Sequence, residues 1–126
     1  MNYIIDTHIL LWWLNDASKL SSHVKDIISK SSNIIYVSSA SLWEIRIKQS
    51  IGKIDLPNNF QNVLDSQGFK YLNIKPEHTH EIINLPMYHR DPFDRMIIAQ
   101  ARLEKFYIIT NDKHFVDYKA KIVFNS

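Results

Sequence analysis

Residues 1–14, MNYIIDTHILLWWL, run through an apolar stretch to an aspartate and then directly into a second apolar stretch. Met1–Asp6 reads as a short buried strand ending on a carboxylate, and Thr7–Leu14 as a helix. The same change of pattern recurs along the chain. Leu20, Val24, Ile27 and Ile28 keep helical spacing behind a cap at Ser21 or Ser22. Asn33–Val37 reads as a strand, and Ser38–Ser50 as a helix capped by Ser38 or Ser39 and ended by Gly52. Asn58–Gln67 predicts a helix stopped by Gly68, Phe69–Ile74 a strand, and Pro76–Leu85 a helix with proline in its first turn. After a loop over Pro86–Arg90, Asp91 caps an apolar helix running to about Lys105. Phe106–Ile109 is a strand, Asn111–Val116 a turn or short helix, and Lys121–Phe124 the last strand. Strands alternating with helices predict an α/β fold with a mostly parallel sheet. No repeat or linker divides the sequence, so a single domain over residues 1–126 is expected.

Composition narrows the function classes. Of 126 residues, 45% are hydrophobic and 22% charged, a globular mixture rather than a disordered one. Cysteine is absent, which removes disulfides, thiolate zinc sites and cysteine nucleophiles. The net charge of +2 permits nucleic acid as a partner without demanding it. The apolar run from Ile4 to Leu14 is interrupted by Asp6 and His8 and is too short to span a membrane. A soluble protein of the cytoplasm is the expectation. There is no glycine-rich phosphate loop and no G-x-S-x-G motif.

Four carboxylates stand where structure alone does not ask for them. Asp6 ends the first strand, on the side where open α/β sheets gather ligands; it also suits the cap of the following helix. Glu44 lies on a helix whose apolar stripe reads Ala40, Trp43, Ile47 and Ile51, so the spacing predicts a buried carboxylate. Arg46 and Lys48 point elsewhere in this reading, which leaves a distant arginine as the alternative partner. Asp91, Pro92 and Asp94 make a helix start; Asp94 also shares a face with Ile98 and Ala101 and so looks inward. Asp112 follows the strand FYIIT, either as a turn residue or as a ligand. Together these acids can converge on one edge of one sheet. There they would repel one another unless a cation intervened, and oxygen ligands select hard ions such as Mg²⁺ or Mn²⁺. Among other residues, His78 and His80 read as surface polar groups, and Trp12, Trp13 and Trp43 as core or interface. Arg46, Lys48, Arg90, Arg95, Arg102 and Lys113 are either a phosphate track or scattered solvated charge.

Four segments carry a resemblance: IIDTHILLWWL at 4–14, SSASLWEIRIK at 38–48, HRDPFDRMIIAQA at 89–101 and IITNDKHF at 108–115. In this order and spacing the sequence resembles PIN-domain ribonucleases, in particular VapC-type toxins of type II toxin–antitoxin pairs. The resemblance implies a three-layer α/β/α sandwich with a mostly parallel central sheet. It implies Mg²⁺- or Mn²⁺-dependent cleavage of RNA, leaving a 5′ phosphate and a 3′ hydroxyl. It also implies a VapB-type antitoxin as partner, and a toxin homodimer. Asp6, Glu44, Asp94 and Asp112 match the family's four acids. Asp91 belongs to the DPFDR variant of the motif and is either a helix cap or a contributor to the metal site. Thr7 and Thr110 fall where hydroxyl residues support the pocket, and Arg95 is a further supporting candidate. Residues 52–88 match poorly, so substrate choice does not transfer.

Two rival readings come from other classes. An Asp-x-His-x-His metal hydrolase needs a second histidine, where this chain has Leu10, and a far longer chain for its barrel. A catalytically inactive PIN-like module that only binds RNA or protein is the alternative; all four acidic positions are filled, which weighs against it.

Overall fold

The computed structural model describes residues 1–126. Five strands form one fully parallel sheet: β1 (Asn2–Ile5), β2 (Ile34–Ser38), β3 (Lys70–Leu72), β4 (Tyr107–Thr110) and β5 (Lys121–Phe124), in the order β3-β2-β1-β4-β5. The chain builds outward from β1 to β2 and β3, then returns to its other side with β4 and β5. The crevice where the strand order reverses therefore opens at the carboxyl ends of β1 and β4.

Side-chain alternation along the strands sorts the core into two layers. Tyr3, Ile5, Ile35, Val37 and Ile109 pack with residues of α1 (Thr7–Asn15), α2 (Ser22–Ser29), α3 (Ser39–Ser50) and α4 (Phe60–Asp65). Ile4 and Ile108 face the other way, onto Ile97, Ile98 and Ala101 of α6 (Pro92–Glu104) and onto Phe115. The short α5 (Pro76–Glu81) packs beside α6. The architecture is thus the three-layer α/β/α sandwich. No helix is long and apolar enough to cross a membrane.

Ser21 accepts a hydrogen bond from Val24 N–H and caps α2; Ser38 accepts from Ala40 N–H and caps α3. Gly52 and Gly68 take positive φ after the helices they end. The helix predicted over Pro76–Leu85 stops instead at Glu81, and Ile82–Asn84 forms a 3-10 turn. Leu85 precedes Pro86, whose ring drives it into extended backbone. The helix predicted over Asn58–Gln67 shortens to α4, and β3 is shorter than the expected strand.

Three expectations about side chains change. The buried face of α3 is Ala40, Ser41, Glu44 and Ile45, whereas Trp43 is 61% exposed and Ile51 59% exposed. The helix carries apolar residues all round, so the stripe through Trp43, Ile47 and Ile51 fits helical spacing equally well yet faces out. His78 is not a surface residue. It is fully buried, with Nδ1 accepting from Lys75 N–H at 3.0 Å and Nε2 beside Glu104 Oε1 at 3.1 Å. Arg95 does not face a phosphate track. Its buried guanidinium donates to the carbonyl oxygens of Ile82, Leu85, Pro86 and His89 at 2.9–3.3 Å, and reaches Tyr118 Oη at 3.4 Å. It fixes the whole segment that leads into α6.

Replacing Arg95 by alanine leaves these carbonyls unpaired, so Arg95→Ala is expected to lose about 2–3 kcal/mol of stability in urea denaturation. Lysine offers a point charge in place of a planar fork, and Arg95→Lys should recover less than half of that loss.

Candidate active site

Asp6 leaves β1 at the crevice and begins α1. Its Oδ1 accepts from Ile9 N–H at 2.9 Å, and its Oδ2 accepts from Thr110 Oγ1 at 2.5 Å. It is therefore a helix cap and also a buried carboxylate, only 2% exposed. Thr110 ends β4 beside it and accepts from Asp112 N–H at 3.0 Å, so one hydroxyl links Asp6 to the backbone of Asp112. Thr7 donates to Ser41 Oγ at 3.0 Å, pinning α1 to the buried face of α3 that also carries Glu44.

Glu44 comes from α3 and is 6% exposed. Its Oε2 pairs with Lys48 Nζ at 3.0 Å, one helical turn on, which corrects the expectation that Lys48 points elsewhere. Its Oε1 is buried with no partner. Arg46 does point away, toward Gln49. From α6, Asp91 Oδ1 accepts from the N–H groups of Phe93 and Asp94 at 2.9 and 3.1 Å, which makes it the cap, while Asp94 sits in the first turn. Asp112 caps the 3-10 turn Lys113–Asp117, with Oδ1 accepting from His114 N–H at 2.9 Å.

His89, a residue the sequence reading did not single out, completes the cluster. Its Nε2 is hydrogen-bonded to Asp112 Oδ2 at 2.9 Å and lies 2.9 Å from Asp94 Oδ2. Its sequence signal is its place at the head of the segment HRDPFDRMIIAQA, which reads as the end of a loop before the Asp91 cap.

The charge state follows from this crowding. Burial first, then the negative charges of Asp91, Asp6, Glu44 and Asp112, pushes the Asp94 carboxyl up to about 8. Burial also raises Asp6, against the hydrogen bonds from Thr110 and Ile9 that favour its ionised form. Burial works to raise Asp112 as well, but hydrogen bonds from His114 and His89 outweigh it and hold that carboxyl below its usual range. The structure thus brings Asp6, Glu44, Asp94 and Asp112 into one electrostatic neighbourhood, with Asp91 at its edge.

This donor set suits a hard divalent ion. The oxygens are mostly carboxylate, Glu44 Oε1 lacks any partner, and ligand atoms of His89, Asp94 and Asp112 lie within 4.8 Å of one another. Two cavities flank the acids. One, of about 490 Å³, is lined by Asp6, His8, Trp12, Asn111, Asp112, Lys113 and His114. The other, of about 330 Å³, is apolar and includes Trp43 and Phe93, the sequence neighbours of Glu44 and Asp94, which meet edge to face at 5.2 Å. Arg90 and Arg95 line it too; with Lys113 in the first cavity and Lys48 on Glu44, these are basic residues that border the site. Arg102 sits in the last turn of α6, about 12 Å along the axis from Asp94.

A family model for the PIN domain matches residues 3–121. No curated protein sequence matches the chain significantly. Among solved structures, a chain of VapBC2 from Rickettsia felis bound to a promoter DNA fragment superposes with a TM-score of 0.74 at 18% identity, covering 98% of each chain. A chain of DNA-bound VapBC from Salmonella typhimurium superposes at 0.75 with 14% identity, covering 100% of this chain and 99% of that one. A toxin–antitoxin complex from Klebsiella pneumoniae gives 0.68 at 18% identity and 98% of each chain. At these identities the likeness is one of fold.

A carboxyl raised by folding from 3.8 to about 8 keeps its proton in the native state while the unfolded chain has lost it. Between those values stability therefore falls as pH rises, and Asp6 adds the same sign. The lowered Asp112 acts only below 3.8, outside this window. In EDTA, the melting temperature is expected to drop steadily from pH 5 to pH 8. Asp94→Asn should flatten that slope and melt at or above the wild type at pH 8; an unchanged slope would assign the titration elsewhere.

Proposed function

The chain belongs to the PIN domain family, and on that footing we propose that residues 1–126 form one nuclease unit: a Mg²⁺- or Mn²⁺-dependent endoribonuclease of the cytoplasm, acting as the toxin of a type II toxin–antitoxin pair. One observation carries the reading. Carboxylates from the end of β1, α3, α6 and the turn after β4 share one crevice, where burial raises Asp6, burial and the neighbouring negative charges raise Asp94, and Glu44 Oε1 is left unpartnered. Such a cluster costs stability, and a divalent ion offsets that cost.

Asp6, Glu44, Asp94 and Asp112 would hold the ion. Held there, a divalent ion would supply activation of water toward a phosphodiester and stabilisation of charge developing on the phosphate oxygens. The chain's own residues do the rest. Thr110 and the α1 backbone orient Asp6. Lys48 neutralises one oxygen of Glu44 and leaves the other free. His89 and His114 fix the plane of Asp112. Arg90 and Lys113 supply positive charge on either flank, and exposed Trp43 offers an aromatic face suited to unpaired bases, which favours single-stranded RNA over duplex. The partner assignment is supported by the fold's likeness to chains of VapBC complexes and by the apolar residues Trp43, Ile47 and Ile51 left exposed on α3. A VapB-type antitoxin is the proposed partner, and a homodimer the proposed state of the toxin.

Purified protein freed of antitoxin is expected to cut single-stranded RNA with Mg²⁺ or Mn²⁺ and to stop in EDTA. Asp94→Asn should lower the cleavage rate at least about 100-fold, the equivalent of roughly 2.7 kcal/mol of transition-state stabilisation. Asp91→Ser, which preserves the cap, should stay active, whereas Asp91→Ala should cost about 1 kcal/mol of stability. EDTA-resistant cleavage by clean protein overturns the metal mechanism. RNA binding without cleavage would instead identify an inactive PIN-like binding module.

A further inference from the structure

His89 lies between two carboxylates, and its ring is fixed from every side. Its backbone N–H donates to Tyr118 Oη at 2.9 Å, and its carbonyl accepts from Arg95 at 3.3 Å. The ring packs edge to face on Phe115 at 5.8 Å and against His114 at 5.2 Å. Asp91 N–H points at Nδ1 from 3.2 Å. That contact decides the tautomer: Nδ1 accepts, so the hydrogen of the neutral ring is on Nε2. The Nε2–H then meets Asp112 Oδ2 at 2.9 Å, with Asp94 Oδ2 also at 2.9 Å from the same nitrogen.

We propose that His89 is a positioning residue that stands in for the cation: hydrogen-bonded through Nε2–H to Asp112 and 2.9 Å from Asp94 Oδ2, it sits between the two carboxyl groups while no ion is bound, and an arriving ion competes with it for those oxygens. Ligation by Nε2 is the opposing role. It requires a bare lone pair there and hence a hydrogen on Nδ1, where Asp91 N–H already points; two donors would face each other. The stand-in role also fits the geometry of the approach. The two oxygens come from different elements, α6 and the turn after β4, and the imidazole is the one donor within 3 Å of both. In the ion-free protein the clamp keeps the cluster assembled, so the fold does not depend on metal.

The inference rests on the ion-site reading in one arm of its test only. Wild type, His89→Ala and His89→Gln are melted in EDTA and in Mn²⁺, and Mn²⁺ affinity is measured by calorimetry. His89→Ala is expected to melt lower than wild type in EDTA, to gain more from Mn²⁺, and to bind it about tenfold more tightly, the equivalent of one charge-assisted hydrogen bond removed from the ion-free form. Glutamine can place an amide N–H near the position of Nε2–H, so His89→Gln should stay close to wild type in both melts. Weaker Mn²⁺ binding in the variants overturns the proposal and makes the imidazole a ligand; equal gains in all three overturn it as well. Should His89→Ala fail to fold, His89→Gln decides alone, with wild-type affinity in support and a tenfold loss against. If wild type itself ignores Mn²⁺, the ion-site reading has failed, and the clamp is judged in EDTA. There His89→Ala should lower the melting temperature less in an Asp94→Asn/Asp112→Asn background than in wild type, and an equal drop overturns it.

Discussion

The hydrogen bond from Thr110 to Asp6 joins the carboxyl ends of two strands whose residues are 104 positions apart in the chain. It exists because β1 and β4 run parallel as neighbours with Ile5 opposite Ile109, which sets the next residues side by side. A slip of one residue would exchange the two faces of β4, sending Ile109 into the wrong layer and Thr110 away from Asp6. The apolar layers on either side of the sheet therefore fix the register, and the register fixes the crevice. Asp94 and Asp6, whose carboxyls burial raises, oppose folding around it. They are tolerated because Ile4, Ile5, Ile108 and Ile109 beneath them are fully buried between helices.

Caps do double duty along this edge. Asp6, Ser38, Asp91 and Asp112 each accept from the first backbone N–H groups of the element they start. The amino ends of α1, α3 and α6 thus gather at the carboxyl ends of the strands, and their partial positive charge offsets some of the acid cluster. Asp94 shows the limit of that compensation: it lies in the first turn of α6, yet its carboxyl still rises to about 8.

Much of this arrangement was legible in the sequence because it rests on local rules. A strand that ends on an acid, a serine before an amphipathic stretch, and Asp-Pro at a helix start each carry their own signal; they located β1, β2, α3 and α6 and marked the four acids as candidates. What stayed hidden depends on which of several faces the fold selects. On α3 both Ala40–Ser41–Glu44–Ile45 and the stripe through Trp43 obey helical spacing, and packing against α6, α1 and β2 chooses between them. Lys48 was misplaced against the helical spacing itself, which sets it one turn beyond Glu44 on the same side. His78 is buried by a partner 26 residues away, and Arg95 by carbonyls of a loop with no regular pattern. His89 was missed because its importance comes from Asp94 and Asp112 together, one of them 23 residues distant.

The central position of β1 also bears on synthesis. Chains fold from the amino end as they emerge, and β1 can pair with β2 early, but its other edge stays open until Tyr107–Thr110 arrives. A nascent chain that stops before this point already holds Asp6, Glu44 and Asp94, yet has neither the Thr110 hydroxyl nor Asp112. The crevice is a late, long-range product of folding rather than a property of any fragment. The Asp6–Thr110 link and the Asp112 carboxylate are thus assembled only once β4 and the turn after it have left the exit tunnel.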